Sequence, residues 1–134
     1  MTNSSTPAAW TADALSRFGA AEEIEISTRR DDGSLRAFVP IWIVAVGDAL
    51  YVRSYRGAGG AWYRHATEHP AGAIRAVGQQ ADVTFTPADP QQLDARTAID
   101  DAYRSKYGRY RDTYLQPMLA EQAVAATVRL IPQS

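Results

Sequence analysis

The residues best suited to chemistry lie together in one segment, 53–64, with the sequence RSYRGAGGAWYR. It combines three arginines, three glycines and three aromatic residues with one serine. Arginine side chains bind phosphate oxygens in a bidentate manner, and glycines let backbone N–H groups approach an anion closely. Trp62 and Tyr63 offer flat faces on which a heteroaromatic ring can stack. These residue types together predict a site for a ligand that carries both an anionic group and a ring.

A second interpretation of the same segment involves no ligand. A hairpin extension with arginines facing solvent and two aromatic side chains in the core would have the same composition. The run Gly57-Ala58-Gly59-Gly60 matches neither the phosphate loop of nucleotide-hydrolysing enzymes nor the dinucleotide-binding fingerprint, because its glycine spacing differs from both. The residues alone leave both interpretations open.

Two further features carry chemistry in principle. His65 and His69 stand four residues apart, a spacing that can hold a metal ion on one helix face. Ala66, however, follows the first histidine where zinc peptidases have a glutamate, so we expect no metal site. Lys106 is the only lysine and lies near the end of a predicted helix, where it could contact the helix dipole or a phosphate.

The composition narrows the class of protein. With 134 residues and 46% hydrophobic residues, the chain is long enough for one domain with a real core. The absence of cysteine excludes disulfides and thiolate catalysis, and the net charge of -1 argues against nucleic acid and anionic membranes as partners. The N-terminus lacks the apolar stretch of a signal peptide, and no apolar run approaches the ~20 residues that span a bilayer. We therefore expect a cytoplasmic protein.

Hydrophobic periodicity predicts the elements that position the segment 53–64. They are a helix over 11–18 capped by Thr11, strands over 22–28, 36–46 and 50–55, a short helix over 61–68, strands over 73–77 and 82–86, helices over 94–107 and 112–122, and a strand over 125–131. Strand 36–46 is apolar on both faces from Ile41 onward, so we expect a central strand covered on both sides. Gly47-Asp48 predicts a tight hairpin, and Pro117 is expected to interrupt or restart the last helix.

This order of elements predicts an α+β fold that is mostly β. Six strands linked mainly by hairpins, with helices inserted around them, favour an antiparallel barrel or strongly curled sheet. A doubly wound parallel fold would need helices to alternate with strands throughout the chain. We expect residues 1–9 to be a disordered tail and residues 10–134 to form the single domain.

Several short motifs in this order resemble a bacterial family of uncharacterised proteins, catalogued as domain of unknown function 2255. The motifs are Ile41-Trp42-Ile43-Val44, Leu50-Tyr51-Val52-Arg53-Ser54, Trp62-Tyr63-Arg64, Tyr103-Arg104-Ser105-Lys106-Tyr107-Gly108 and Val128-Arg129-Leu130-Ile131-Pro132. The resemblance covers nearly the whole chain after the tail. It implies no particular reaction.

More distantly, the strand order and the glycine loop before Trp62 are similar to the FMN-binding split β-barrel superfamily. That group includes pyridoxamine-phosphate-oxidase-like proteins and deazaflavin-dependent nitroreductases. The resemblance implies a six-stranded antiparallel split β-barrel, a homodimer, and FMN or a deazaflavin coenzyme in a groove at the dimer interface. In the nitroreductases a longer loop with a proline precedes Trp-Tyr, whereas here Gly60-Ala61 runs directly into Trp62.

Carried over by position, the resemblance implies a role for each matching residue. Arg53, Ser54 and Arg56 would contact the cofactor phosphate. The other implied positions are Gly59 and Gly60 for close backbone approach, and Trp62, Tyr63 and Arg64 beside the ring or tail.

Three functions remain open from these observations. The first is a flavin- or deazaflavin-dependent oxidoreductase acting on a small organic molecule, in which Tyr63 or His65 would protonate the reduced product. The second is a split-barrel protein that binds a small ligand, a heme-like molecule or a partner without redox chemistry. The third is an enzyme that uses the same groove without a cofactor.

Overall fold

The structure, a computed structural model, describes residues 10–76, 78–88, 93–108 and 111–132. The predicted disordered tail, residues 1–9, lies outside the described residues. The helices are α1 Ala12–Ala20, α2 Ala61–Glu68, α3 Leu93–Tyr107, α4 Arg111–Leu119 and α5 Glu121–Ala125, with a 3-10 turn over Gly57–Gly59. The strands are β1 Ile24–Thr28, β2 Val39–Ile41, β3 Val44–Val46, β4 Ala49–Arg53, β5 Ala71–Ala76, β6 Gln79–Pro87 and β7 Thr127–Pro132.

The seven strands form one antiparallel sheet in the order β2-β1-β5-β6-β7-β4-β3. Strands β2 and β3 therefore lie at opposite edges of the sheet, yet only Trp42 and Ile43 separate them along the chain. Three residues of extended chain span at most ~11 Å. The two edges must consequently come close together, and the sheet curls into a split β-barrel as predicted.

The predicted central strand over 36–46 is wrong, and its division explains why there are seven strands and not six. The segment bends at Trp42-Ile43 and supplies both edge strands, with Val39 39% exposed. The bend is held from α3. The Ile43 N–H donates to the Tyr107 hydroxyl at 3.1 Å, and the Ile43 carbonyl accepts from Lys106 Nζ at 2.7 Å. The backbone of Ile43 is thus satisfied by side chains and does not extend the pairing of β3 with β4.

Two hydrophobic clusters lie on opposite faces of β4. Leu50 and Val52 belong to the cluster inside the barrel, together with residues from β1, β5, β6 and β7. Tyr51, between them in sequence, packs against the second cluster. That cluster joins β3 to α3 and α4 through Val44, Ile99, Tyr103, Tyr107, Leu115 and Met118. The alternation along β4 therefore divides its side chains between the barrel interior and the helical layer.

Two local predictions are confirmed, the Thr11 cap of the first helix and the tight hairpin between β3 and β4. The Thr11 hydroxyl accepts from the Ala14 N–H at 3.1 Å and caps α1, although the helix continues one residue past Gly19. Trp10 packs edge-on against Phe18 and ties α1 to β7. Residues Gly47 and Asp48 connect β3 to β4, and Gly47 has the positive φ of +60° that a tight hairpin favours.

The prediction that Pro117 interrupts or restarts the last helix is wrong. Pro117 lies inside α4, and the helix breaks instead at Ala120, whose extended backbone precedes α5.

In the described part of the chain, no helix combines the length and apolar character needed to cross a membrane.

Candidate functional site

A groove opens where the bent edge of the sheet leaves β4. The pairing of β3 with β4 ends at Val44 and Tyr51, so the last residues of β4 extend beyond β3. The groove has a volume of about 760 Å³. Its lining consists of Glu23, Val39, Pro40, Ile41, Trp42, Arg53, Ser54, Tyr55, Arg56, Gly60, Ala61, Trp62 and Met118. This volume falls within the ~300–1,000 Å³ typical of small-molecule sites, and most of the lining is apolar or aromatic.

The structure brings together half of the residues predicted to form a site. Five of them line the groove: Arg53, Ser54, Arg56, Gly60 and Trp62. The other five do not line it: Gly59, Tyr63, Arg64, His65 and Lys106. The roles of all ten toward a ligand stay predictions.

Arg53 is the most buried charged group in the groove wall, with 1% of its surface exposed. Its Nη1 lies 2.7 Å from Asp100 Oδ1, an ion pair without hydrogen-bond geometry, and donates to the Met118 carbonyl at 2.9 Å. Its Nε donates to Thr127 Oγ1 at 2.9 Å. The guanidinium also lies over the Tyr103 ring, 5.1 Å from its centroid. Arg53 therefore braces β4 against α3, α4 and β7, and Asp100 neutralises its charge.

Tyr103, which packs against the Arg53 guanidinium, is buried together with this ion pair. The phenol is fully buried, and its hydroxyl has no hydrogen-bond partner among the described residues. Burial raises the pKa of Tyr103 well above its usual value, because a phenolate would lose its hydration there. Tyr103 is consequently a neutral packing residue at physiological pH.

Ser54 and the glycine-rich turn form one compact unit. The Ser54 hydroxyl donates to the Gly57 carbonyl at 2.7 Å, and the Gly57 N–H donates back to the Ser54 carbonyl at 2.9 Å. Gly57 has φ +66°, which favours glycine. A Cβ at Gly60 would clash with Ser54 Oγ, so this close approach favours glycine at the position. The Ser54 oxygen can still accept a hydrogen bond, but its proton is committed to the turn.

Arg56 differs from Arg53 in being free. It is exposed at the groove and makes no hydrogen bond or ion pair with the part of the chain that the structure describes. The first turn of α2 follows at Ala61 and Trp62, with no acidic residue in that turn. Backbone N–H groups and the helix dipole favour an anion at such an end. Glu23, exposed in the same lining, is the one acidic residue facing the groove among the described residues.

Lys106 has a structural position away from the groove. Its Nζ donates to the carbonyls of Gly19 and Ile43, both at 2.7 Å. Because Gly19 lies in the last turn of α1, the lysine caps that helix and pins the bend of the sheet at once. Burial lowers the pKa of Lys106 to about 8.

The remaining predicted residues lie on or beside α2. Tyr63 packs against the barrel interior and contacts Trp62 edge-on, with ring centroids 6.0 Å apart. His65 is half-buried, whereas Arg64 and Gly59 are exposed. Among the described residues, no group of three or more potential metal ligands comes together, at His65 or elsewhere.

Residue-by-residue reasoning missed one part of the groove wall. That wall comes from the bent edge, residues 39–42, with Met118 contributed by α4. One signal was available, because a proline such as Pro40 is confined mainly to edge strands. Met118 carried no signal, since only the packing of α4 brings it to the groove.

The rim of the groove is apolar and exposed. Val39 and Tyr55 are the exposed large hydrophobic residues among those described, at 39% and 55%, and both line the groove. Exposed apolar side chains that cluster at one site mark a surface for a ligand or partner more often than scattered ones do.

Comparison by sequence finds one family. DUF2255, described as an uncharacterized protein conserved in bacteria, matches residues 14–130. No curated protein matches the chain.

Comparison by structure finds proteins with the same fold and very different sequences. A FAD-binding protein from Mesorhizobium loti is 14% identical with a TM-score of 0.58, covering 93% of this chain and 91% of its own. An F420-H2-dependent reductase is 13% identical with a TM-score of 0.58, covering 82% and 93%. HutZ, the heme storage protein from Vibrio cholerae, is 12% identical with a TM-score of 0.62, covering 92% and 90%. At these identities the similarity establishes the split-barrel fold.

Proposed function

The chain belongs to the DUF2255 family of uncharacterised bacterial proteins, and from that premise we propose that it binds a flavin or deazaflavin cofactor in the groove. The proposed activity is that of an oxidoreductase acting on a small organic molecule. One observation carries the proposal. The groove places the uncommitted Arg56 beside the first turn of α2 and the indole of Trp62, which joins an anion contact to a ring surface. Proteins of this fold that bind FAD or use F420 support the choice of cofactor.

Different residues of the groove would bind the anionic tail and the ring of the cofactor. Arg56 and the backbone N–H groups at the start of α2 would hold the anionic tail of the cofactor. The Ser54 oxygen would accept a hydrogen bond from a hydroxyl group of that tail. Trp42 and Trp62 would border the ring and exclude water from it. When bound, the cofactor supplies the hydride chemistry, and the chain supplies binding, orientation and electrostatics.

We extend the proposal to a homodimer that closes over the groove. Val39 and Tyr55 are apolar, exposed and part of the lining, so a second copy would remove them from water. Sedimentation analysis is expected to show a dimer that Val39→Asp weakens. A monomer at micromolar concentration and above would contradict this extension without affecting cofactor binding to the single chain.

The cofactor proposal is tested by comparing FMN with riboflavin, which lacks the phosphate. Arg56→Gln is expected to weaken FMN binding by roughly tenfold or more, since a charge-assisted hydrogen bond contributes ~1.5–3 kcal/mol. Riboflavin affinity should not change. Arg64→Gln is the matched control, because Arg64 is exposed on α2 but does not line the groove.

Fluorescence titration with FMN, riboflavin and F420 measures these affinities. Failure of the wild-type protein to bind either cofactor at concentrations well above micromolar would refute the proposal. An equal loss of FMN and riboflavin affinity in Arg56→Gln would refute the role of Arg56 as the phosphate contact.

A second function, ligand binding without redox chemistry, is favoured by the placement of the predicted proton donors. Neither Tyr63 nor His65 lines the groove, although both follow Trp62 on α2. Tyr63→Phe and His65→Ala separate the two functions. Loss of substrate reduction with cofactor affinity intact supports the oxidoreductase, and a bound cofactor that reduces no acceptor in the wild-type protein supports a binding protein.

A further inference from the structure

We propose that a second cavity, separate from the groove, binds a small oxyanion, either a phosphate or a carboxylate. The cavity has a volume of about 220 Å³ and lies between the outer face of the sheet and α3. Its lining comes from β4, β6 and β7 below and from Ala95, Arg96 and Ile99 of α3 above. Val124 of α5 closes one side.

The strand register brings the polar floor of the cavity together. Tyr51 pairs with Arg129 across β4 and β7, and Arg129 pairs with Thr86 across β7 and β6. These three residues therefore form one lateral row whose side chains point to the same face. The neighbouring pair, Arg53 and Thr127, faces the same side because strand side chains alternate with a period of two.

Three arginines reach this cavity, and two of them have acidic partners. Arg53 is paired with Asp100, and Arg96 forms an ion pair with Glu121. Arg129 has no ion pair with any described residue, and its Nε is buried without a hydrogen-bond partner. The described charges at the cavity therefore leave one uncompensated cation, at the centre of the polar row.

A buried N–H without a partner carries the desolvation cost of a polar group without the hydrogen bond that would offset it. Native structures rarely leave such donors empty, so each one calls for an ion, a water or a ligand. A guanidinium binds oxyanions preferentially, because its parallel N–H groups match two oxygens. The Thr86 hydroxyl at the exposed rim can donate to the same anion.

The size of the cavity restricts the ligand. Its volume lies below the ~300–1,000 Å³ of typical cofactor and drug-sized sites, so a dinucleotide or an intact flavin does not fit. Ile99, Val124 and Ala95 leave room for a short apolar group beside the anion. A small carboxylate or phosphorylated metabolite matches both the charge and the volume.

The cavity and the groove share Arg53 as a common wall but have otherwise separate linings. Binding in the cavity should consequently depend on Arg129 and not on Arg56. This separation makes the inference independent of the proposed flavin site.

The experiment follows the arginine Nε–H resonances of the ¹⁵N-labelled protein during titrations with inorganic phosphate and with acetate at constant ionic strength. The expected result is a saturable shift of the Arg129 Nε–H signal by at least one of the two anions, with smaller changes at Arg56 and Arg64. Absence of a saturable Arg129 shift with either anion, at an anion concentration roughly 50-fold above that of the protein, would overturn the proposal.

Arg129→Gln provides the second arm. Calorimetry should show that this substitution lowers the affinity for the bound anion by at least tenfold. Arg64→Gln should leave that affinity unchanged. Equal affinities in Arg129→Gln and the wild-type protein would overturn the proposal. If Arg129→Gln fails to fold, the wild-type resonance titration decides alone.

Discussion

Removing the charge of Arg53 tests whether this residue stabilises the fold through its ion pair with Asp100. Arg53→Met keeps most of the side-chain length but deletes the partner of Asp100, whose side chain is only 15% exposed. It also removes the donors to the Met118 carbonyl and Thr127 Oγ1. Asp100→Asn removes only the acidic charge, and Arg53 keeps both of those hydrogen bonds.

Each single substitution leaves one charge of the pair buried without its partner. Deleting one partner of a buried ion pair typically costs ~3–5 kcal/mol, since the other charge stays buried without compensation. We expect a loss in that range for Arg53→Met and a loss of similar size for Asp100→Asn, because the guanidinium that the second substitution leaves unpaired is only 1% exposed. The double variant should lose about 1–3 kcal/mol less than the sum of the two single losses, because it leaves no orphaned carboxylate.

Urea unfolding followed by tryptophan fluorescence measures the three free energies, with Arg64→Met as an exposed arginine control that should change stability by less than ~0.5 kcal/mol. Additivity of the single variants within ~0.5 kcal/mol would refute the inferred coupling of Arg53 to Asp100. Such a result would mean that the ion pair does not form in solution.

Two further predictions concern the glycine turn and the single lysine. Gly60→Ala should destabilise the protein by roughly 1–3 kcal/mol, because its Cβ would clash with Ser54 Oγ. A Cβ at Gly59 meets nothing within 4 Å, so Gly59→Ala should cost less than ~0.5 kcal/mol. Equal losses in urea unfolding would show that the close approach at Gly60 is not tight. Burial lowers the pKa of Lys106 from 10.5 to about 8, so above pH 8 the native state releases a proton that the unfolded state keeps. The free energy of unfolding should therefore gain a rising contribution from about pH 8 to pH 10.5 that is absent in Lys106→Met. If the free energy of unfolding changes with pH equally in the wild-type protein and in Lys106→Met, burial does not lower the pKa of Lys106.

Local sequence patterns predicted most of the elements correctly. The Thr11 cap and the Gly47-Asp48 hairpin both depend on residues close in sequence, and both are confirmed. The curled antiparallel sheet also followed from the order of elements, because short connections between strands restrict the topologies available.

The prediction of one strand over 36–46 was wrong because contacts with residues distant in sequence bend this segment. Its apolar pattern is that of a covered strand, but the bend at Ile43 depends on Lys106 and Tyr107, which lie more than sixty residues further along the chain. Local periodicity contains no information about such a contact. The wall of the groove formed by residues 39–42 was missed for the same reason.

The sequence by itself determined which residue types the candidate site contains, because arginines, glycines and aromatic residues are concentrated in 53–64. It also determined an order of strands that favours a barrel. Only the tertiary structure decided which of those side chains are free. Arg53 and Arg56 are indistinguishable by type, yet Asp100 neutralises the first, while the second remains unpaired by any described residue. The physical reason is that strand and turn preferences act over a few residues, whereas burial and charge compensation depend on what the fold brings into contact.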